Sequence, residues 1–575
     1  MFKKNIMSRV KFIAVCGLIV FSMINIAAQT SLNWAHASQG SGESQISVRK
    51  MMTDSSGNIY TYGYFSGSIL LDPVNQTGQI NTTGDYNYDL FLCKWDSAGN
   101  FLSSFTLAGN TNDTPTDLAI DQEGNLWLGG YFFGVMDLDP GSEEYLITSI
   151  GESDLFLAKY NTEGALLWAG QFGSLYVESG GLIAIDNSGR IHFGGNFNGT
   201  IDLDPGPGIY EVEANDTDGY DGFICTLDSE GNFIEAGQFE GPGYVFISEL
   251  KIDAEGNLWC GGSFDETADF NPGEDVFMLG SPGYHNCFLV KLDPDGNFIT
   301  ALCYGGGEVI SMENFVFNSQ GSLLITGYYR NSADFDPGPE GYILNAVGIN
   351  DCYVLSLDSD GMFNWAASVG GESNDSGQDI AVDGYDNVYV SGYFYGIIDA
   401  DPGAGSYLMQ SAGNTDGFML KLDEGGNFVW AKQLASNSGI YGNCLILLED
   451  GSIIESGSFF YMADFDPAEP IFVLWASGFY DIFIRKLDND LTVGIPEIVK
   501  SDFLQIYPNP NQGIIFVDVS VPTVCRIFDA SGRLVFKSNL FTGINQLDLC
   551  DLKHGLYLVQ TISSDQVLMR KVLIR

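Results

Sequence analysis

The chain has 575 residues, of which 45% are hydrophobic and 13% aromatic, and its formal net charge is −50. This apolar content is sufficient for a large buried core, whereas the acidic surplus opposes binding to nucleic acid or anionic lipid, so we expect no nucleic-acid partner. The four histidines are far apart in the sequence, which leaves little material for a histidine metal site or a Ser-His-Asp triad.

The N-terminus has the pattern of a secretory signal peptide, which we assign to residues 1–29. Four basic residues precede an apolar run at 12–26, and the small residues Ala27 and Ala28 follow it. A membrane anchor needs about 20 apolar residues, and this run is shorter. We therefore expect a mature chain without an integral membrane segment.

A short Asp-Pro element recurs seven times, with Asn-Pro in one copy. Its prolines are Pro73, Pro140, Pro205, Pro272, Pro337, Pro402 and Pro467. The intervals between them are 65 or 67 residues. Such constant spacing is typical of one supersecondary unit copied along a chain. Seven units of this size predict an all-β fold, a seven-bladed β-propeller over residues 30–495.

Each unit contains two turns based on Asp-x-x-Gly-Asn, such as those at 54–58 and 96–100. Glycine takes the positive φ that a tight hairpin turn requires, and the Asp side chain binds nearby amides. Two hairpins predict four antiparallel strands in each blade. The last unit lacks a fourth strand, so we expect the N-terminal segment 32–35 to pair with 481–487 and complete it.

The unit resembles the bacterial β-propeller repeats often written as the SBBP type. The resemblance rests on Asp-x-x-Gly-Asn-apolar-Tyr-apolar-x-Gly-Tyr-Phe and Asp-x-Phe-apolar-x-Lys-x-Asp segments, and it covers about residues 31–490. Repeats of this type are found in exported proteins. The resemblance therefore implies the propeller fold and a cell-surface context, and it implies no particular activity.

Six units extend the Asp-Pro element to Asp-x-Asp-Pro, with Asn271 replacing the second Asp once. Carboxylates at i and i+2 of an extended segment point to the same side, a geometry that Ca²⁺ can use. The calcium candidates are Asp137, Asp139, Asp202, Asp204, Asp334, Asp336, Asp399, Asp401, Asp464 and Asp466. The alternative is a turn in which the Asp side chain binds backbone amides.

One position holds an aromatic residue in all seven units, which predicts packing between blades. It is occupied by Phe65, Phe132, Phe197, Phe264, Tyr329, Phe394 and Phe459. The preceding position varies, and its tyrosines are Tyr64, Tyr131, Tyr328 and Tyr393. Loops of several blades converge at one end of a propeller, so these four tyrosines are candidates for stacking on sugar rings. Packing between blades is the alternative.

A second acidic column precedes the third strand of each unit. Its members are Asp89, Asp154, Asp221, Asp351, Asp416 and Asp481, with Asn286 in the fourth unit. Asn caps a strand as well as Asp does but carries no charge. The substitution therefore favours a structural role over a charged ring used for binding or catalysis.

Residues 503–575 depart from the repeat and predict a small antiparallel β-sandwich. The segment contains Tyr-Pro-Asn-Pro at 507–510, Asp-x-x-Gly-Arg at 529–533, Gly-x-Tyr at 555–557 and a basic-apolar final strand. This order resembles the C-terminal sorting domain of the type IX secretion system. The resemblance implies that the type IX secretion machinery is a partner of the chain. It also implies export across an outer membrane to the cell surface or the medium.

The near-identity of the units favours a non-enzymatic binding or adhesion module for a glycan or a protein. A catalytic site would need unique residues in one or two blades, and the departures from the repeat form no acid/base constellation. We therefore assign no catalytic or cofactor-binding residue, and calcium is the one cofactor considered. The alternative is an extracellular carbohydrate-active hydrolase or lyase that uses paired carboxylates.

Overall fold

The computed structural model describes residues 30–574 apart from 83–86, 216–218, 467–471, 490–503, 508–513, 520–522, 529–532, 551, 554 and 563–566. The predicted signal peptide and Pro467 lie outside the described residues. The described residues form antiparallel strands, turns and loops without a helix, which confirms the all-β prediction. This part of the chain therefore contains no helix that could cross a membrane. The chain divides into two compact units, Gln29–Leu491 and one that carries Thr492–Arg575.

The compact part Gln29–Leu491 consists of seven four-stranded antiparallel arrangements, here called units 1 to 7. In each, the first strand pairs with the second, the second with the third and the third with the fourth. The first strands are Gln45–Thr53, Asp113–Ile120, Ser179–Ile185, Val245–Ile252, Val309–Phe317, Ser376–Val382 and Gly439–Leu447. The second strands are Ile59–Ser66, Leu126–Asp137, Ile191–Phe197, Leu258–Phe264, Leu323–Arg330, Val388–Phe394 and Ile453–Phe460.

The remaining two strands of each unit complete the arrangement. The third strands are Asp89–Trp95, Leu146–Tyr160, Asp221–Leu227, Asn286–Leu292, Asp351–Leu357, Asp416–Leu422 and Asp481–Asn489. The fourth strands of units 1 to 6 are Phe101–Gly109, Leu166–Phe172, Phe233–Phe239, Phe298–Tyr304, Phe363–Gly371 and Phe428–Ser436. Unit 7 takes its fourth strand from the other end of the chain, Thr30–Ala37.

The predicted pairing of the N-terminal segment with unit 7 is confirmed. Thr30–Ala37 runs antiparallel to Asp481–Asn489, with Ala35 opposite Arg485. The Asn33 side-chain amide donates to the Asp488 carboxylate at 2.9 Å. Ala35 is buried in the apolar cluster that unit 7 forms around Phe483. The two ends of this compact unit are therefore held in one sheet.

The predicted hairpin turns are also present. In the first, the Asp54 carboxylate accepts hydrogen bonds from the amides of Ser56 and Asn58, each at 2.9 Å. Gly57 has φ +78°, a conformation that residues with a Cβ rarely adopt. The turn sequence therefore recurs because one side chain and one glycine supply its hydrogen bonds and its backbone conformation.

Each unit also carries a short outer hairpin between its second and third strands. The hairpins are Ser68–Asp72 with Thr77–Asn81, Thr200–Asp202 with Glu211–Glu213, Thr267–Asp269 with Met278–Gly280, Ser332–Asp334 with Ile343–Asn345, Ile397–Asp399 with Leu408–Gln410, and Met462–Asp464 with Val473–Trp475. In unit 2 the second and third strands themselves extend into this hairpin. Gln39–Gly40 pairs with the hairpin of unit 1.

The outer hairpins join neighbouring units. The fourth strand of unit 5 pairs with the hairpin of unit 6 through Gly370 and Asp399, and unit 6 pairs with unit 7 through Ala435 and Asp464. The first Asp of the Asp-x-Asp-Pro element therefore stands where one unit meets the preceding one.

The first strands line one cavity of about 960 Å³, here called the first-strand cavity. Each first strand contacts the first strand of the next unit, and Gly439–Leu447 of unit 7 contacts Gln45–Thr53 of unit 1. Every first strand also contains a β-bulge, as between Val48 and Lys50. Because a bulge re-aims the residues beside it, the seven units place seven equivalent side chains around this cavity.

The aromatic column is fully buried in all seven units, which confirms its predicted packing role. Phe132 and Phe156 of unit 2 are in ring contact, with centroids 6.4 Å apart, as are Phe264 and Phe288 of unit 4 at 6.1 Å. These buried rings hold the second strand in place beside the variable tyrosine position.

The C-terminal segment forms two antiparallel sheets, as predicted for a sandwich. One consists of Leu504–Tyr507, Ile514–Val519 and Gly543–Asp548. The other consists of Thr523–Phe528, Leu534–Leu540, Gly555–Ile562 and Val567–Ile574. Residues of both sheets, including Val517, Ile527 and Val559, share one buried core.

Candidate functional site

The calcium candidates act as turn residues in the outer hairpins. The Asp399 carboxylate accepts hydrogen bonds from the amides of Asp401 at 3.2 Å and Tyr407 at 2.7 Å. Asp401 in turn accepts from the amide of Gly403 at 2.8 Å. Burial alone would raise the pKa of Asp399, but these hydrogen bonds hold it below its ordinary value. The ionised side chain therefore closes the hairpin loop.

The same pattern recurs at the other candidates. The first Asp of each pair accepts from the amides two and eight residues later, at Asp137, Asp202, Asp334 and Asp464. Each pair lies in the hairpin of a different unit. Among the described residues, no group of three or more His, Cys, Asp or Glu side chains is arranged to hold a metal ion. The turn role accounts for the recurrence, and calcium binding stays a prediction.

Two of the four predicted stacking tyrosines meet in one cleft. Tyr64 of unit 1 and Tyr393 of unit 6 line a cavity of about 290 Å³. Its other lining residues are Gln45, Ile46, Ser47, Arg49, Gln378, Tyr441, Ser458 and Tyr480. We call this cavity the tyrosine cleft. Tyr131 instead lines the first-strand cavity, and Tyr328 lines neither.

The repeated Gly-Tyr sequence explains why a tyrosine stands beside the bulge. A Cβ on Gly63 would lie 2.0 Å from the carbonyl oxygen of Ser47, and one on Gly392 would lie 2.1 Å from that of Ser376. Only glycine permits this close approach of the first and second strands. The next residue, Tyr64 or Tyr393, is half-buried, so part of each ring remains accessible.

Aromatic contacts hold the walls of the cleft. Tyr393 meets Tyr441 edge to face, with centroids 5.2 Å apart. Tyr64 meets Tyr88 in the same way at 5.0 Å. The guanidinium carbon of Arg49 lies 5.4 Å from the centre of the Tyr64 ring. Rings fixed in this way lose little conformational entropy when a ligand packs on them.

The cleft adjoins the first-strand cavity, because Arg49 and Gln378 line both. The residue after each bulge in the first-strand cavity differs from unit to unit. The seven residues are Lys50, Asp117, Leu182, Glu249, Asn314, Asp379 and Cys444. A fixed repeat position therefore carries cationic, anionic, amide and apolar side chains.

Lys50 of unit 1 links units 2 and 4 across this cavity. Its ammonium lies 3.0 Å from the Asp117 carboxylate and 3.3 Å from the Glu249 carboxylate, and Glu249 also pairs with Lys251 at 2.9 Å. Burial alone would lower the pKa of Lys50, but the two carboxylates hold it above its ordinary value. These charges are therefore committed to one another.

Asp379 lies in a separate polar contact of the same cavity. It accepts hydrogen bonds from the Asn314 side-chain amide and the Leu445 backbone amide, each at 2.6 Å. Sequence reasoning missed this group of residues. The detectable signal was the Arg49-Lys50 pair inside a predicted strand of a chain with few basic residues.

The second acidic column lies inside the fold. Asp221, Asp351 and Asp481 are at most 1% exposed, and each accepts a hydrogen bond from a backbone amide in the loop before its strand. Burial raises the pKa of Asp221 to about 6, against the hydrogen bonds it accepts. This arrangement fits the capping role rather than a charged surface ring.

Three further acids, Asp113, Glu178 and Asp375, are buried at the same position of the repeat in units 2, 3 and 6. Burial and the neighbouring charge of Asp89 raise the pKa of Asp113 to about 9. Burial also raises the pKa of Glu178 to about 7 and that of Asp375 to about 7. All three are at most 2% exposed. They are therefore part of the core and not of either cavity.

Comparison with known proteins identifies the tail. Residues 505–575 match the secretion system C-terminal sorting domain family. This segment is a type IX secretion sorting domain, so the protein is exported by that system to the cell surface or the extracellular space. The secretion machinery is accordingly a partner of the chain.

The chain is similar to two curated proteins. Over 483 residues it is 22% identical to an uncharacterized WD repeat-containing protein of Acanthamoeba polyphaga mimivirus, covering 71% of this chain and 35% of that protein. Over 189 residues it is 23% identical to the regulatory protein FlaEY of Caulobacter vibrioides, covering 32% and 18%. The chain thus spans about a third or less of each relative's length.

Solved structures show only distant likeness. A protein of unknown function from Bacteroides caccae aligns over 60% of this chain and 89% of its own, with 9% identity and TM-score 0.29. The extracellular domain of a protein described as a hybrid two component system, BT3049 from B. thetaiotaomicron, aligns over 92% and 72%, with 10% identity and TM-score 0.25.

The outer-hairpin geometry predicts different effects for two substitutions of Asp399. In EDTA, Asp399→Ala is expected to lower the free energy of unfolding by about 1–2 kcal/mol, because two amides lose their acceptor. Asp399→Asn keeps an oxygen for both amides and should cost less. Urea unfolding of both variants measures this. A calcium-induced rise in wild-type Tm that is smaller in Asp399→Asn would instead assign the element as a metal site.

The ion pairs of the first-strand cavity predict that Lys50→Met destabilises the fold by about 2–4 kcal/mol, since the buried carboxylates of Asp117 and Glu249 lose a cationic partner. The matched control is Lys486→Met, whose partner Asp450 is 61% exposed, and this should cost less than about 1 kcal/mol. Chemical unfolding measures both variants. Equal effects would show that the cavity charges are screened by solvent.

The three buried acids predict that stability falls as pH rises. Unfolded carboxyls ionise near pH 4. Asp113, Glu178 and Asp375 have raised pKa values when folded, so their stabilisation is complete below about pH 4 and is lost as pH rises through about 7 to 9. The Tm should therefore fall between pH 5 and pH 9, and a triple Asn/Gln variant should show a flatter profile.

The control for this pH profile removes three exposed carboxyls instead, by Glu143→Gln, Glu230→Gln and Asp360→Asn. This control removes the same number of carboxyls but leaves the buried groups in place. It should keep the wild-type slope. A triple buried variant with an unchanged slope would contradict the assignment of the pH dependence to the core.

Proposed function

We propose that residues 30–495 form a seven-bladed β-propeller that acts outside the cell as a non-enzymatic, glycan-binding module. Contacts between the first strands support the propeller. Each first strand contacts the next, and the first strand of unit 7 contacts that of unit 1. The SBBP-type resemblance and the WD-repeat name of one curated relative agree with this architecture.

The observation that carries the binding function is the tyrosine cleft. Side chains of units 1, 6 and 7 converge there, so the site combines residues of different units, although the units are alike. Its partly exposed rings offer faces for the apolar sides of sugars, and Gln378 and Ser458 offer hydrogen-bonding groups for hydroxyls. This mixture of ring faces and small polar groups suits a glycan better than an extended apolar protein segment.

The alternative function, a carbohydrate-active hydrolase or lyase, is less well supported. Among the described residues that line the tyrosine cleft, none is a carboxylate. Of the carboxylates in the first-strand cavity, Asp117 and Glu249 are paired with lysines, and Glu313 and Asp379 accept hydrogen bonds from Ser311 and Asn314. Glycosidic hydrolysis by paired carboxylates requires both groups to reach the sugar. These positions favour binding over hydrolysis.

The cleft predicts that Tyr64→Ala and Tyr393→Ala each weaken glycan binding at least tenfold, about 1.4 kcal/mol, since each removes a ring face. Binding is measured on a glycan array and then by calorimetry with the mature protein. Circular dichroism and Tm establish that each variant is folded, and Tyr393→Phe, which keeps the ring, should retain binding.

The matched control is Trp475→Ala. This indole is 67% exposed but lines a separate groove that shares no residue with the tyrosine cleft. Its loss should leave the affinity unchanged. Glycan binding that depends on Trp475 and not on Tyr64 or Tyr393 would place the site elsewhere.

A further inference from the structure

We propose that the tyrosine cleft selects glycans that carry an anionic group, a uronate carboxylate or a sulfate, and that Arg49 binds this group. The inference rests on the proposed glycan-binding function and adds the class of sugar. It depends on the position of Arg49, on its lack of an ion pair and on the ring beneath it.

Arg49 is placed by the β-bulge of the first strand in unit 1. The strand register shifts between Val48 and Lys50, so Arg49 is the extra residue. Its side chain is exposed and lines both the cleft and the first-strand cavity. The equivalent bulge residues in units 2 to 7 are Thr116, Gly181, Ser248, Glu313, Gln378 and Asn443, none of which is a cation. The cation at this position is therefore a feature of unit 1 and not of the repeat.

The charge of Arg49 is not committed to a protein carboxylate. Lys50 and Lys251, the other cations of these first strands, form ion pairs within 3.3 Å. Within the described part of the chain, Arg49 has no carboxylate within 4 Å. Glu313 in the adjoining cavity feels the charge of Arg49 but is hydrogen-bonded to Ser311 at 3.0 Å. A free guanidinium at a cleft is thus left for an external anion.

This free cation stands out against the composition of the repeat region. Residues 30–502 contain 13 basic and 69 acidic side chains. Most basic side chains of the described repeat region form ion pairs, whereas Arg49, Lys94, Arg330 and Lys432 form none, and of these four Arg49 alone lines the tyrosine cleft. The general acidic field weakens long-range attraction of anions, so recognition here depends on short-range contact and is specific to the cleft.

The tyrosine beneath Arg49 prepares it for that contact. The guanidinium carbon is 5.4 Å from the Tyr64 ring centre. An arginine over an aromatic face uses its own face for this contact and keeps its N–H groups at the edges, where they bind carboxylate or sulfate oxygens in pairs. A sugar ring on Tyr393 or Tyr441 can then place an acidic substituent at Arg49, because all three residues line the same cleft.

The test compares ligands that differ only in charge. The mature protein is titrated by calorimetry with oligogalacturonate and its neutral methyl ester, and with a sulfated galactan and its desulfated form. We expect at least a tenfold preference for the anionic member of one or both pairs. The preference should decrease with added salt. Binding of only the uronate, or only the sulfate, identifies the anion that the cleft accepts and supports the proposal.

Variants of Arg49 assign the preference to this residue. Arg49→Met should reduce it to less than twofold by weakening the anionic ligand more than the neutral one, and Arg49→Lys should give an intermediate preference, since it keeps charge but loses paired donors. The matched control is Lys94→Met, because Lys94 also lies over a tyrosine ring, 5.0 Å from Tyr60, but outside the cleft. It should retain the wild-type preference.

Two results would overturn the proposal, and they differ in what else they overturn. Equal affinity for charged and neutral ligands, lost on Tyr64→Ala, would refute anion selection and leave the glycan-binding function intact. No binding of any ligand on these titrations or on the glycan array would refute both. An anionic preference that survives Arg49→Met in a folded variant would also contradict the role of Arg49.

Discussion

The fold of the repeat region depends on the pairing of its two ends. Thr30–Ala37 supplies the fourth strand of unit 7, and the Asn33–Asp488 hydrogen bond joins residues 455 positions apart. Without this pairing, the strand Asp481–Asn489 would present an open edge and the cluster around Phe483 would lose one wall. The tyrosine cleft draws its residues from units 1, 6 and 7, so it lies at the same junction. The candidate site therefore draws on unit 7, the unit that the two ends of the repeat region complete.

Much of the fold could be predicted from the sequence because its determinants are local and repeated. The Asp-x-x-Gly-Asn turns, the strands between them and the buried aromatic column each depend on a few neighbouring residues. The end-to-end pairing was also predictable, since a missing strand at one end matched a spare strand at the other. The type IX sorting tail was recognisable from its own motifs.

The candidate site was only partly predictable. Tyr64 and Tyr393 share one repeat position and were found by comparing units, but Tyr441 stands in a first strand and Tyr480 just before a third strand. No single repeat position contains all four, so their meeting depends on how units face one another. The contact of Lys50 with Glu249 is hidden for the same reason, because the residues are three units apart in sequence. The aspartates of the outer hairpins were found from the repeat pattern, but the amides that bind to them could be identified only in the structure.

The end-to-end strand pairing also has a consequence for the order in which the protein folds. Units 1 to 6 are built from contacts between residues close in sequence, whereas unit 7 needs chain segments more than 400 residues apart, and contacts of such long range form slowly. We therefore expect unit 7 to form last. Because the cleft includes residues of that unit, the proposed ligand binding would appear only when this long-range pairing has formed.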